Sequence, residues 1–484
     1  MVKVVIGEES QLKSAEDRLL KSSILAEVGI IVGKLSTNSE KGFVYSVIPA
    51  PSTDAGNPAC SLKAEAEGRG DRKKGAKGGK SLAEANPSLL IDGEWVAEHA
   101  RQVSRMLLGG MSVVGIYVWS SEAAFKATST LVFSQVIRGV AQALPAFESK
   151  TNERLLVHIS YSPRRWACRN FSVASADMRP CDFKMSKILN LLQMYRCIYN
   201  FDLRVPVFQD DVSTSRTFKN LLRTTIACHA KELQSARALV DGKLANEDQQ
   251  VTFEGSHTVE LLLPFKTDAY VEAYSSEEIL GVVVLRGAIC ASSYLGPKEP
   301  FLQALSDLKK DVINSLESRL EIVLDESDDK LDEALADAIE AGDRKPLHQH
   351  ALKEVRKSLA LSFPRRVLIP WLSGTFICDY LLHSETFEDL SDRCREMMSM
   401  EAPVDPSALQ EVEAEAAILT TASFWEAICG NSLPTGEEPK SRNPATEENS
   451  PGKQKPFNFN LQAALFMLLV ALLVGFAFTF FKSN

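Results

Sequence analysis

The residues that could do chemistry at close spacing fall into a few short stretches. Residues 75–81 read GAKGGKS, the composition of a loop whose backbone N–H groups cradle phosphate. Such a loop needs a glycine five residues before Gly79, where this chain has Lys74. No apolar strand precedes it and no amphipathic helix follows to aim the amides, so low complexity explains the run. His348 and His350 offer two imidazoles, but residues i and i+2 of a helix point to opposite sides. Cys228 and His229 are neighbours on a predicted helix and diverge as well. No G-x-S-x-G elbow occurs to present a nucleophilic serine. The acidic run DESDD at 325–329 lacks the glycine and spacing of a calcium loop and suits a solvated helix start. Arg69-Gly70-Asp71 and the sequon Asn170-Phe171-Ser172 have meaning only outside the cytosol.

Composition sets the frame for these motifs. The chain has 484 residues, enough for two or three folded units, with 45% apolar and 24% charged residues. Its net charge of −9 is the wrong sign for a general nucleic-acid binder, which needs excess Lys and Arg to neutralise phosphates. Nine scattered cysteines without a C-x-x-C pair make neither a disulfide framework nor a zinc-finger set, and they suit a reducing compartment. The first ten residues lack the basic start and apolar run of a secretory signal.

One segment departs from this average. From Leu461 to Phe481 the chain reads LQAALFMLLVALLVGFAFTFF, without a charge. A helix of that length spans about 30 Å, the thickness of a bilayer's hydrocarbon core. Its six Leu, five Phe and two Val contribute on the order of −4 to −8 kcal/mol to insertion. Only Lys482, Ser483 and Asn484 follow, which predicts a post-translationally inserted tail anchor with the preceding chain in the cytosol. Lys453 and Lys455 lie on the side that should stay cytosolic. One lysine after the span is a poor match to the basic cluster of mitochondrial anchors, so the endoplasmic reticulum is the expected membrane.

The elements before the anchor predict an α+β chain. Residues 10–24 have apolar positions at helical spacing, and 28–35 (VGIIVGKL) and 42–48 (GFVYSVI) are β-rich runs. Residues 51–86 are a Gly/Lys-rich stretch expected to be a disordered insertion. Helix is then predicted over 94–108 and 122–144, and strand over 112–119, 155–162 and 167–173. We expect a first domain at 1–185 and a second α+β domain at 186–430. Over the rest of the chain before the anchor, helices are predicted at 184–199, 218–241, 300–323, 328–341 and 407–429, and strands at 258–264, 280–290 and 365–377. Residues 431–460 have the composition of a flexible linker, and 461–481 form the transmembrane helix.

The order of the first elements, with Glu27-Val28-Gly29-Ile30-Ile31-Val32-Gly33 and Val113-Val114-Gly115-Ile116-Tyr117, resembles an MPN domain, the fold of the JAMM zinc isopeptidases. Catalytic members continue from the glycine as G-x-x-H-[ST]-H, then seven residues, Ser, two residues and Asp, with both histidines and the Asp on zinc. Aligned on Gly115, the histidine positions hold Val118 and Ser120, and the later Ser and Asp positions hold Thr128 and Leu131. Glu27 falls near the family's general base. The resemblance therefore implies a domain without zinc, cofactor or catalytic residues.

A closer resemblance covers the chain as a whole. WVAEHARQVSRMLLGGMSVVGIYV at 95–118, the opening VGIIVGKLS, RRVLIPWLSG at 365–374 and the apolar terminal span are similar to the odorant-response-abnormal protein 4 family. It implies a non-enzymatic, single-pass protein of the endoplasmic reticulum membrane. Such a protein assists client membrane receptors, G-protein-coupled receptors among them, to fold and leave for the cell surface. Its implied partners are those receptors, the lipid bilayer and a ubiquitin-fold-modifier cysteine protease, with no nucleic acid. The competing expectations are a JAMM-like metallo-isopeptidase with unconventional ligands and an organelle tether.

Overall fold

Two apolar runs form the centre of a closed barrel in the computed structural model. Strand β2 (Glu27–Leu35) is buried from Val28 to Lys34, and β6 (Ser112–Ser120) from Val113 onward. A strand covered on both faces reads as a continuous apolar run, which is why both stand out in the sequence. The structure describes residues 2–36, 40–63, 87–145, 152–208, 218–244, 255–264, 279–296, 299–340, 360–400, 406–411, 413 and 418–422. Met1–Gly430 is one compact unit and Asn431–Asn484 another. The linker at 431–460 and the predicted anchor at 461–481 lie outside the described residues, as do GAKGGKS, Arg69-Gly70-Asp71 and His348-Gln349-His350. Among the described residues, no helix is long and apolar enough to cross a membrane.

The barrel order is β1 (Val4–Glu8), β3 (Lys41–Pro49), β2, β6, β7 (Glu153–Tyr161), β8 (Arg164–Ser172) and β9 (Met178–Ser186). It closes where β1 pairs in parallel with β9, from Val4 opposite Asp182 to Glu8 opposite Ser186. The β2–β6 register slips at Ile31/Val32, leaving Val114 as an extra residue, so Val113 and Ile116 face the same side. One side of the sheet packs with α1 (Glu9–Lys21), through Leu12 and Leu19. The other packs with α2 (Gly93–Met106) and α4 (Thr130–Ala143), through Val96, Val103, Ile137 and Val140. Gly115 leaves no room for a side chain unless the backbone shifts: a Cβ there would lie 1.9 Å from the Leu155 carbonyl oxygen on the neighbouring strand.

The helix predicted over 122–144 is two helices. Ser121 caps α3 (Glu122–Ala127) by accepting from Ala124 N, and Ser129 caps α4 by accepting from Leu131 N. The insertion expected at 51–86 contributes to the fold in its first part: β4 (Cys60–Leu62) pairs with β5 (Leu89–Ile91), and Ala59 and Cys60 are buried. Residues 64–86 lie outside the described residues.

Beyond the barrel, a seven-stranded sheet is built on the antiparallel pair β10 (Gln193–Phe208) and β14 (Ile279–Leu295), with β11 (Arg237–Val240), β12 (Lys243–Leu244) and β13 (Ser256–Leu262) on the β10 side. The helix expected at 184–199 is not formed. Ile188, Leu192, Tyr195 and Tyr199 mimic a helical stripe, but Tyr195, Cys197, Tyr199 and Phe201 are buried at a period of two, which decides for strand. These side chains meet α5 (Phe218–Ser235) and α6 (Phe301–Glu340) in one core. The two helices expected at 300–323 and 328–341 are this single helix. Where residues 407–429 are described, the expected helix is not found: they form a 3-10 turn (Pro406–Ala408), β18 (Gln410–Glu411) and β19 (Ile418–Ala422), the last paired with β14 and with β15 (Ala360–Ser362), while 423–429 lie outside the described residues. The run at 365–377 is β16 (Arg365–Pro370) and the start of β17 (Phe376–Leu381), followed by α7 (Phe387–Met398). Val367, Ile369, Ile377 and Leu390 share the core of α2 and α4, so that core extends across the boundary expected at 185.

Candidate functional site

The sequence singled out the end of β6, and the structure shows what stands there. Val118 is fully buried among the apolar residues facing α2 and α4, paired with Val28 on β2 and His158 on β7. Ser120 is buried two residues on. Thr128 ends α3: its hydroxyl donates to Ala124 O at 2.8 Å and accepts from Leu89 N at 2.8 Å. Leu131 begins α4 and is 61% exposed. Val118 and Leu131 carry no donor atom, and the Ser120 and Thr128 hydroxyls are engaged with protein groups. Among the described residues, no group of three or more His, Cys, Asp and Glu is arranged to hold a metal ion.

Glu27 faces away from this end. It opposes Trp119, whose side chain belongs to the α1 side of the sheet, whereas Val118 belongs to the other. Its carboxylate accepts from Arg18 at 2.7 and 3.0 Å and from the Tyr117 hydroxyl at 2.6 Å. Burial, and then the Glu27 charge, push the Tyr117 phenol well up, so it stays a donor. The carboxylate thereby ties α1 to the sheet.

The residue that sequence reasoning missed is His158. It is buried beside Val118 on the parallel strand β7, with Nε2 3.2 Å from Ser120 Oγ and its ring stacked on Phe125 at 3.9 Å between centroids. Burial holds its pKa down at about 4, so the imidazole is neutral near pH 7. The Arg169 guanidinium lies 5.0 Å from the Phe125 ring centre on this stack. In an efficient serine–imidazole relay a third group orients the ring. The nearby Glu122 carboxylate instead takes Arg165 at 2.5 and 3.0 Å and Lys126 at 3.1 Å. The pair fills a polar gap at the end of the barrel. Only the β6–β7 pairing exposes it, and nothing in the spacing of 158 from 118 announces it.

The remaining sequence motifs resolve structurally. Asn170 and Phe171 of the sequon are buried on β8. Cys228 is exposed while His229 is buried, its Nε2 2.8 Å from the Tyr199 hydroxyl and its Nδ1 3.3 Å from Glu232. The DESDD run lies inside the long helix α6.

A second polar cluster joins the barrel to the sheet beyond it. Lys34 of β2 is 6% exposed and places Nζ 2.8 Å from Glu299 and 3.0 Å from Asp307 at the start of α6. Gly109 N donates to Ser292 O at 3.0 Å, and Tyr294 N donates to Gly109 O at 2.8 Å. Deeper, Arg366 grips Asp311 at 2.7 and 2.9 Å and donates to Cys290 O at 3.1 Å, while Arg319 pairs with Glu413. Both pairs are almost fully excluded from water. Such charges fix the relative placement of elements, because an unpaired partner would be costly.

A barrel ending in a hydroxyl–imidazole pair, locked to a second sheet by buried ions, defines a mixed α+β protein. Residues 29–408 match the model of the family described as ODR4-like, Odorant response abnormal 4-like, and the chain belongs to that family. Relatives include the protein odr-4 homolog of Mus musculus, 25% identical over 416 residues that cover 81% of this chain and 85% of the relative. That of Xenopus laevis is 25% identical over 430 residues, 83% of this chain and 84% of the relative. That of Dictyostelium discoideum is 23% identical over 405 residues, 81% and 79%. Among solved structures, UfSP from C. elegans covers 86% of this chain and 61% of its own at 8% identity, with a TM-score of 0.38. Protein DSY2949 from Desulfitobacterium hafniense covers 38% and 93% at 11% identity, with a TM-score of 0.22. Both superpositions are too loose to show a shared fold.

Proposed function

We propose that this chain is a non-enzymatic adaptor of receptor trafficking, with a non-catalytic MPN-like barrel held at the endoplasmic reticulum membrane by residues 461–481. Membership of the odorant-response family supports the trafficking role. The observation that carries the adaptor reading is the end of β6: the positions where a JAMM enzyme places zinc ligands hold Val118, Ser120 and Leu131. In this reading the cytosolic body captures a ubiquitin-fold-modifier cysteine protease and client receptors. Confining partners to one membrane raises their encounter rate without new contact energy.

The test uses cells expressing the full chain or the chain lacking 461–481, each tagged at its first residue. The full chain should sediment with membranes, co-purify with the protease and restore surface display of a client receptor in cells depleted of the native protein. The truncated chain should lose sedimentation and receptor display while keeping the protease. A full chain that stays in the soluble fraction, or that never recovers the protease, overturns the proposal.

A further inference from the structure

Cys168 and Cys181 face each other directly across the antiparallel pair β8–β9. Opposed residues on one antiparallel pair point to the same face, and both cysteines belong to the α1-side core: Cys168 buried, Cys181 at its margin and partly open to solvent. Asp182 N donates to the O of Lys3, the residue just before β1, so the Cys181 N–H turns the other way, towards Cys168. That makes the two a hydrogen-bonded pair, for which the Cα separation is about 5.5 Å. Bridged cysteines sit at about the same spacing. Among the described cysteines, no other two are opposed in register.

We infer that Cys168 and Cys181 are a redox pair that closes into a reversible disulfide on meeting a small-molecule disulfide such as oxidised glutathione. The two thiols differ in the sense the reaction needs. The hydrogen bond from Cys168 pulls the Cys181 thiol down, while that same neighbour, and then burial, push the Cys168 thiol well up. Cys181 is thus both the more exposed and the more readily ionised. Its thiolate attacks one glutathione sulfur, forming a mixed disulfide and expelling glutathione thiolate. Cys168 then loses its proton and attacks the Cys181 sulfur, releasing the second glutathione thiolate. In balance, two protein thiols and one oxidised glutathione give one protein disulfide and two reduced glutathiones. Cys181 Sγ also lies 3.4 Å from Val2 O, beside the β1–β9 seam, so the bond forms at the closure of the barrel. By contrast, burial pushes the Cys60, Cys197 and Cys394 thiols up to about 12, and exposed Cys228 has no opposed thiol.

The experiment treats the detergent-purified full chain with oxidised glutathione, blocks remaining thiols with N-ethylmaleimide, and digests with trypsin. Cleavage after Arg169 separates the two cysteines onto different peptides, so a linked species reports their bond directly. Wild type should give this species, lost on reduction. Cys168→Ser should retain glutathione on Cys181, and Cys181→Ser should leave Cys168 blocked by maleimide. Glutathione on Cys228 serves as the control that the oxidant reacted. With that control positive, recovery of Cys168 and Cys181 on separate maleimide-blocked peptides overturns the inference, as does a linked species in which either pairs with another cysteine.

Discussion

The Lys34 ammonium sits 2.8 Å from the Glu299 carboxylate, although the two residues are 265 apart in the chain. Lys34 belongs to a barrel strand, and Glu299 to the segment that leads into α6. With Asp307 at 3.0 Å the lysine answers two carboxylates, and all three side chains are nearly closed to water. Burial opposes the charge of Lys34, but Asp307 and Glu299 outweigh it and raise the pKa.

Removing this lysine leaves two buried carboxylates unmatched. Lys34→Met should therefore lose about 3–5 kcal/mol in urea unfolding. Adding Glu299→Gln and Asp307→Asn should recover much of the loss. The raised lysine pKa also fixes a pH dependence: its contribution is complete below the unfolded value of about 10.4 and is lost as pH rises through the higher folded value. Unfolding midpoints between pH 8 and 11 should fall at the alkaline end in wild type and stay flatter in Lys34→Met.

His158 gives the opposite sign. Burial depresses its pKa to about 4, so between the unfolded value of about 6.5 and 4 the unfolded chain takes up a proton that the folded chain refuses. Its contribution is present above pH 6.5 and disappears as pH falls to 4, amounting to about 3 kcal/mol. Substituting His158→Gln should flatten the stability profile over that range in denaturant titrations at pH 7.5, 6 and 4.5.

Backbone approach limits two glycines. A Cβ on Gly110 would meet Tyr294 O at 2.3 Å, at a φ of +82° that side chains rarely adopt. Gly110→Ala should cost about 2–3 kcal/mol and open the junction to protease at lower urea. Gly115→Ala, which drives a methyl into Leu155 O, should cost more than that and reduce the yield of folded protein.

Arg366 donates to both oxygens of Asp311, which is wholly buried. Arg366→Met alone should destabilise by about 3–5 kcal/mol, and joining it to Asp311→Leu should return most of that. A double-mutant cycle in urea measures the coupling directly.

Much of the barrel was visible in the sequence because its central strands are covered on both sides and so are apolar throughout. Strands β1 and β9 were not. In β9, MRPCDFKMS alternates polar and apolar residues and carries Pro180, which suits a strand flank that turns one side to water. The false helix at 184–199 arose where a strand's apolar residues happened to satisfy both periods, and only packing against α5 and α6 separates them. The ligand positions at Val118, Ser120 and Leu131 could be named from spacing to Gly115, because they lie on one local stretch. His158, Lys34 with Glu299, and Arg366 with Asp311 are matched across 38 to 265 residues. No local pattern encodes such meetings.

The parallel seam between the first strand and residues 178–186 has a consequence for biogenesis. Translation proceeds at roughly 5–20 residues per second, so the first strand waits on the order of ten to thirty-five seconds for its second neighbour to be made. Throughout that interval Val5 and the opposing edge have no lasting shelter, and a nascent chain of this kind is a natural customer for ribosome-associated chaperones.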